Sequence, residues 1–297
     1  MTADAAAAAA VAGSHPLESA RTDWAGVEHP VADAAPRIAS WVPSLTELLF
    51  ALGLGANVVA RTGFCVHPRD GVRRVPKTGG TKTPDVDALR VLSPTHLVVN
   101  VDENRRESVD AARAFVSHII VTHPMEPADN RRLYALFGAV FAREREAAAL
   151  AQRFDAALAA LDDVAATLPR ERVLYLIWKK PWMSVARDTY VSATLARAGM
   201  DTLPAAPVAR YPVIGDDDAA WRDAGRILLS TEPYAFRQRD ADTLAGTTSK
   251  RVDLIDGEWT SWYGVRAIAG LAALAGFRRG VVTRAPRPRR SAARSTP

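Results

Sequence analysis

The chain has 297 residues, 48% of them hydrophobic and 24% charged, enough for two domains or one large one with cores that need no disulfide or structural metal. Its single cysteine, Cys65, excludes a disulfide framework and a Cys-rich zinc or iron–sulfur site, and no apolar run reaches the roughly 18 residues of a membrane span. The net charge of +5 sits largely in a tail: residues 284–297 carry five arginines and no acid, whereas residues 1–36 carry five acids against Arg21. A nucleic-acid protein spreads such charge over a folded face, so no nucleic-acid partner is expected.

Residues 1–35 begin as an alanine run without a basic n-region or a strongly apolar h-region, and read as a disordered leader rather than a signal peptide. Residues 284–297, rich in Pro, Arg and Ser, read as a disordered basic tail. Between them, short apolar runs alternate with helical patterns, the mark of an α/β chain. The runs at Arg37–Val42, Asn57–Arg61, His96–Val101 and Ser117–Thr122 predict four strands of an N-terminal lobe, residues 36–142. A helix at Ser44–Leu52, ending at Gly53, follows the first of them. Ser44-Leu45-Thr46-Glu47 has the spacing of a capping box, which is a good helix start and equally an N-terminus able to face a cleft.

Phe64-Cys65-Val66-His67-Pro68 places a thiol and an imidazole two residues apart on an extended loop. Both can reach one metal or act as nucleophile and base, but simple strand alternation also puts them on one side. No third ligand is near, so no metal site is assigned. Gly53-Leu54-Gly55 follows a helix rather than a strand, and Gly79-Gly80-Thr81-Lys82-Thr83 lacks phosphate-loop spacing. No Gly-x-Ser-x-Gly, His-Glu-x-x-His or Cys-x-x-Cys is present.

From Arg143 to Leu168 one apolar stripe runs through Ala147, Leu150, Phe154, Leu158, Leu161 and Val164. At 1.5 Å per residue this predicts a helix of about 39 Å, a linking backbone over residues 143–168. The C-terminal lobe, residues 169–283, opens like the first: a strand at Arg172–Trp178, a Pro181 loop, and a helix near Thr189–Ala198 ending at Gly199. Further strands are expected at Arg226–Ser230 and Arg251–Ile255. Trp41, Trp178, Trp182, Trp259 and Trp262 follow strand ends rather than helical stripes, as does Tyr263. Ligands of α/β folds sit at such ends, so these aromatics predict a slot for a large, flat, partly apolar ligand. Tyr190, Tyr211, Arg187, Arg210, Lys179 and Lys180 lie in the same loops as rim candidates.

Pro43-Ser44-Leu45-Thr46-Glu47, Val86-Asp87-Ala88-Leu89, Leu92-Ser93-Pro94-Thr95-His96-Leu97-Val98, the backbone helix and Asp256-Gly257-Glu258-Trp259 resemble, in order and spacing, the helical-backbone substrate-binding proteins of ABC importers for cobalamin and ferric siderophores. The resemblance covers about Pro36 to Arg279. It implies an α/β fold of two Rossmann-like lobes joined by one long backbone helix, and a monomer that reversibly binds a metal chelate, a cobalamin-type corrinoid or ferric siderophore, without a cofactor of its own or catalysis. It implies a cleft lined by Trp41, Phe64, Trp178, Trp182, Trp259 and Tyr263, with Arg266 nearby; Ser44, Cys65, His67, Tyr190, Tyr211 and Trp262 are the further ligand-binding candidates. It also implies docking to an importer permease through Asp87 and Asp217 or Asp218, where the family usually offers glutamate. By resemblance the protein is periplasmic or extracytoplasmic, while the unseen signal peptide leaves the cytoplasm open. The alternative is a cytoplasmic enzyme or chelate-handling protein on the same fold, using Cys65 and His67.

Overall fold

The computed structural model describes residues 19–280. In the first half, strands β1 (Ile38–Ser40), β2 (Val58–Arg61), β3 (His96–Asn100) and β4 (His118–Thr122) alternate with helices α1 (Pro43–Ala51), α2 (Arg69–Val72), α3 (Val86–Val91), α4 (Arg106–Ala112) and α5 (Asn130–Val140). The long helix α6 (Glu144–Ala166) follows. The second half contains β5 (Glu171–Leu176), β6 (Trp182–Met183), α7 (Tyr190–Arg197), β7 (Met200–Thr202), β8 (Val213–Ile214), α8 (Ala219–Asp223) and β9 (Arg226–Ser230). It closes with α9 (Gln238–Thr248), β10 (Arg251–Ile255), α10 (Glu258–Ser261) and α11 (Val265–Arg278).

Each half builds one four-stranded parallel sheet, in the orders β2-β1-β3-β4 and β10-β9-β5-β7. Counted within its own half, each sheet has the strand order 2-1-3-4, so both halves share one topology. The mixed α/β architecture is the expected one. The second sheet contains a strand that was not anticipated, β7. Three residues directly after a helix are too few to show alternation. The antiparallel hairpin β6–β8 is a further addition.

Strand alternation distributes the side chains over three cores. Leu97 and Val99 of β3 face an outer layer with Leu89, Val109 and Ala112, while Val98 faces inward. In β5, Leu174 and Leu176 face an outer layer with Ile227, Leu229 and Leu244, whereas Val173 and Tyr175 face inward. The inward residues of both sheets meet in a single cluster, into which α6 sinks Leu150, Phe154, Leu158, Leu161 and Val164. The backbone helix is therefore the shared floor of both halves. The turn after α1 needs a left-handed residue and Gly53 supplies it at φ 77°; Gly199 does the same after α7 at φ 74°.

Two readings of local structure are corrected. Ser44 is not an N-cap: Val42 occupies that position without a side-chain bond, and Ser44 lies buried inside the first turn, while Thr46 Oγ1 donates to the Val42 carbonyl at 2.9 Å. Glu47 pairs with Arg266 instead of closing a capping box. Part of the leader is also packed. Asp23, fully buried, accepts from the backbone N–H of Val27 and of Val121 in β4 and pairs with His29 at 3.0 Å. Arg132 stacks over Trp24. An extended segment without periodicity can still dock by satisfying one buried carboxylate, and no apolar pattern announces that. Residues 1–18 of the leader and the tail at 284–297 lie outside the described residues.

Candidate functional site

In a sheet of order 2-1-3-4, successive connections leave strand 1 in opposite directions, opening a crevice between the ends of strands 1 and 3. The loops after β1 and β3 meet there: the Asn104 side-chain amide donates to the Trp41 carbonyl at 3.3 Å and to the Thr81 carbonyl at 3.0 Å. The corresponding ends in the second sheet, β5 and β9, are tied by Tyr175 donating to Ser230 Oγ at 2.9 Å. These two sets of strand ends face each other, because side chains from one reach the other. Tyr263 donates to Glu103 Oε1, Arg210 meets Asp102 at 2.8 Å, and His67 meets Glu258 at 3.1 Å.

The loop after β2 is shaped from beneath by Arg61. Its buried guanidinium donates to the carbonyls of Val72, Thr62 and Cys65, which turns the chain so that Phe64 points outward, 63% exposed, and Cys65 inward, fully buried. His67 sits edge-on to Trp262, ring centres 5.4 Å apart. Arg266, in the first turn of α11, lies 5.3 Å over the Trp262 ring and clamps Glu47 and Glu258. Burial pushes the Glu258 carboxyl up, but the His67 hydrogen bond and the Arg266 charge outweigh it and hold it below its ordinary value. On the same side of the cleft, Glu232 accepts from Ser261 Oγ at 2.6 Å and Trp262 Nε1 at 2.8 Å. Burial raises both Glu232 and Glu103, the latter to about 7 against the Tyr263 bond that favours its charged form.

The structure thus brings together His67, Tyr211, Trp262, Tyr263 and Arg266, with Trp262 and Tyr263 themselves buried, and leaves Phe64 exposed on the loop after β2. Tyr211 is 41% exposed beside Arg210, Asp102 and Glu103. Trp178 stands 41% exposed at the end of β5, edge-on to Tyr234. The remaining expected residues lie elsewhere. Trp41 is fully buried in the outer core of the first sheet, because only Val42 separates it from α1 and no loop carries it out. Trp182 belongs to β6 and stacks on Phe236 in the outer layer of the second sheet. Trp259 is partly buried against the shared core, where the backbone of α11 passes so closely that a Cβ on Gly270 would touch its main chain. Tyr190 is buried and accepts from Asn130 at 2.9 Å, while Asn130 also accepts from the Gly264 N–H. Ser44 is buried near the Tyr263 hydroxyl.

Cys65 has no route to a ligand. The Thr46 and Thr62 hydroxyls lie 3.1 and 3.2 Å from its sulfur. Burial raises the thiol above its ordinary value although these hydroxyls oppose it, the reverse of what a nucleophile needs. Among the described residues, no group of three His, Cys, Asp or Glu is placed to hold a metal ion.

Glu103, Glu232 and Glu258 were not among the expected site residues. Their only local signal is a carboxylate two or three positions after an apolar strand, as in Val101-Asp102-Glu103-Asn104, a pattern that solvent-exposed loop acids share. Of the residues expected to dock a permease, Asp87 and Asp217 are exposed, whereas Asp218 caps α8 by accepting from the Ala220 N–H at 2.8 Å.

Residues 38–247 match the family described as "Periplasmic binding protein". No curated protein sequence matches the chain. Among solved structures it is similar to the periplasmic vitamin B12 binding protein of Vibrio cholerae, with 18% identity over 84% of this chain and 99% of that one and a TM-score of 0.71. It is equally similar to a periplasmic heme-binding protein from Roseiflexus sp. RS-1, with 22% identity, the same shares and TM-score 0.71. The periplasmic heme-binding protein of Vibrio cholerae follows at 18% identity, 82% and 99% coverage and TM-score 0.68. At these identities the likeness shows a shared fold.

Proposed function

Because the chain belongs to the periplasmic binding protein family, we propose that it is the substrate-binding protein of an ABC importer and carries a metal chelate, a corrinoid, haem or ferric siderophore, in the cleft between its two sheets. The observation that supports this most is the convergence of the loops after β2, β3, β7, β9 and β10 on one crevice, where Phe64 and Tyr211 stand exposed and Trp262 lies buried behind them. Flat rings of that kind suit a large planar or compact chelate, and the chain is similar in fold to a vitamin B12 binding protein and to heme-binding proteins. The lobes, residues 36–142 and 169–283, close little on binding, since they share one core around α6. Exposed Asp87 and Asp217 dock the permease. An enzyme using Cys65 and His67 is disfavoured by the sealed, raised thiol.

Titration with cyanocobalamin, haem and a ferric siderophore, followed by tryptophan fluorescence and by recovery of unchanged ligand, tests the proposal. At least one is expected to bind at micromolar strength or better, about 8 kcal/mol. Phe64→Ala, which removes an exposed ring and no core contact, is expected to weaken it by more than 1 kcal/mol. Dissociation constants above about 1 mM for all three, or chemical turnover of a bound chelate, would overturn it.

A further inference from the structure

Resting on the reading of the cleft as a chelate site, we propose that its ligand is neutral or cationic and rich in N–H donors, and that Glu103 and Glu232 select it against polyanionic chelates. The two carboxylates occupy matching places. Each follows the third strand of its own sheet, β3 or β9, at the crevice where connections diverge. They are the acids that the shared topology brings face to face, and both are half-buried rather than sealed.

Their hydrogen bonds leave them open on one side. Tyr263 donates to Glu103 Oε1, and Ser261 and Trp262 donate to Glu232 Oε1. Among the described residues no partner falls on either Oε2. A carboxylate oxygen accepts and does not donate when ionised, so what these atoms can take is an N–H, an O–H or a positive charge. Burial pushes both carboxyls upward, Glu103 to about 7 with the Glu232 and Asp102 charges adding to it, and Glu232 with the charges of Glu258 and Asp256. A ligand bringing positive charge or several donors relieves that repulsion. One bringing carboxylates or catecholates adds to it.

The two arginines that reach the crevice are already engaged. Arg266 holds Glu47 through two bonds of 3.0 and 2.8 Å and Glu258 at 3.0 Å. Arg210 holds Asp102 at 2.8 Å and Asp188 at 3.3 Å, while its Nε is buried without a hydrogen-bond partner among the described residues. Lys82 donates to the Asp102 carbonyl. An anionic chelate would have to compete with the carboxylates that already neutralise both arginines, and exposed Lys82, with one of its three N–H donors engaged, is the cation left to meet it.

The experiment uses the full chain and four probes: cyanocobalamin, whose side chains are mostly neutral amides; a ferric trihydroxamate bearing a free ammonium; haem with its two propionates; and a trianionic ferric tricatecholate. Titrations are run at about pH 8, above the value of about 7 to which Glu103 is raised. The amide corrinoid or the cationic trihydroxamate is expected to bind at least tenfold tighter than haem and the tricatecholate. Glu103→Gln and Glu232→Gln, which keep the Oε1 acceptor, are each expected to shrink that preference at least threefold, with melting and near-ultraviolet circular dichroism confirming the fold. Tighter binding of haem or the tricatecholate than of both other probes overturns the inference while leaving the chelate reading intact. A preference unchanged in both variants also overturns it. Failure of all four probes to bind overturns the chelate reading and this inference with it.

Discussion

The two halves of the molecule share a strand order, a helix after the first strand and a left-handed glycine after that helix, yet they treat the aromatic at the first strand end in opposite ways. In the first half two residues, Trp41 and Val42, separate β1 from α1, and Trp41 is fully buried. In the second half the chain makes an excursion from Ile177 to Thr189, including β6, before α7 begins. Trp178, at the start of that excursion, remains 41% exposed. Connection length decides whether a strand-end aromatic becomes core or wall: a two-residue link leaves it nowhere to go but the outer layer of its own sheet.

The sharpest test of this difference is truncation of the two rings. Trp41→Ala is expected to cost about 3–5 kcal/mol, as for other buried Trp deletions, read by chemical denaturation. Trp178→Ala is expected to cost less than about 1 kcal/mol, in the range of exposed substitutions. Equal losses would show that exposure at the end of β5 is not a property of the folded protein.

The strand-end glutamates offer the next test. Glu103 favours its protonated form in the folded state, so its contribution is fully present below the ordinary value of 4.5 and is lost as pH rises to about 7. Glu103→Gln should therefore match the parent near pH 4 and exceed it at pH 8 by about 1–2 kcal/mol, allowing for solvent screening. The melting difference measured across that interval checks the sign. A variant less stable than the parent at pH 8 would mean that the Tyr263 bond outweighs burial.

Where the halves are alike, their responses should be alike. Gly53→Ala and Gly199→Ala place a Cβ on residues at φ 77° and 74°, with no atom within 4 Å of the first and only the Arg278 guanidinium and Ala165 at van der Waals distance from the second. Each should cost about 1 kcal/mol from backbone strain alone. A loss several times larger at one site would show that the two turns are not equivalent.

The smallest effect is expected at Cys65. With its thiol sealed under the loop after β2, Cys65→Ser should leave chelate affinity within about tenfold, or 1.4 kcal/mol. The native thiol should also react with a thiol reagent far more slowly than in the unfolded chain. Rapid modification, or loss of binding in the serine variant, would reopen the thiol chemistry.

What could be read from the chain alone was whatever local period or local stereochemistry carries. Val98 and Val173, flanked by residues that turn the other way, belong to strands visible as apolar runs. The stripe from Ala147 to Val164 announced α6 to within two residues at each end. Gly53 and Gly199 marked helix ends because few other residues adopt a left-handed turn cheaply. The position of a strand end is likewise local, so the region of the cleft was legible. Which side chains face it was not. Trp182 and Trp259 satisfy the same local description as Trp178, but an indole at a strand end buries itself wherever a neighbouring layer offers apolar area, and those layers come from Phe236 and from α11, far along the chain. Glu103 and Glu232 lie more than a hundred residues apart and acquire their shared environment only when two sheets of equal topology face each other across α6. Sequence determines periods and turns because these are set by neighbours along the chain. Burial, charge partners and the cleft wall are set by neighbours in space, which the tertiary fold alone brings together.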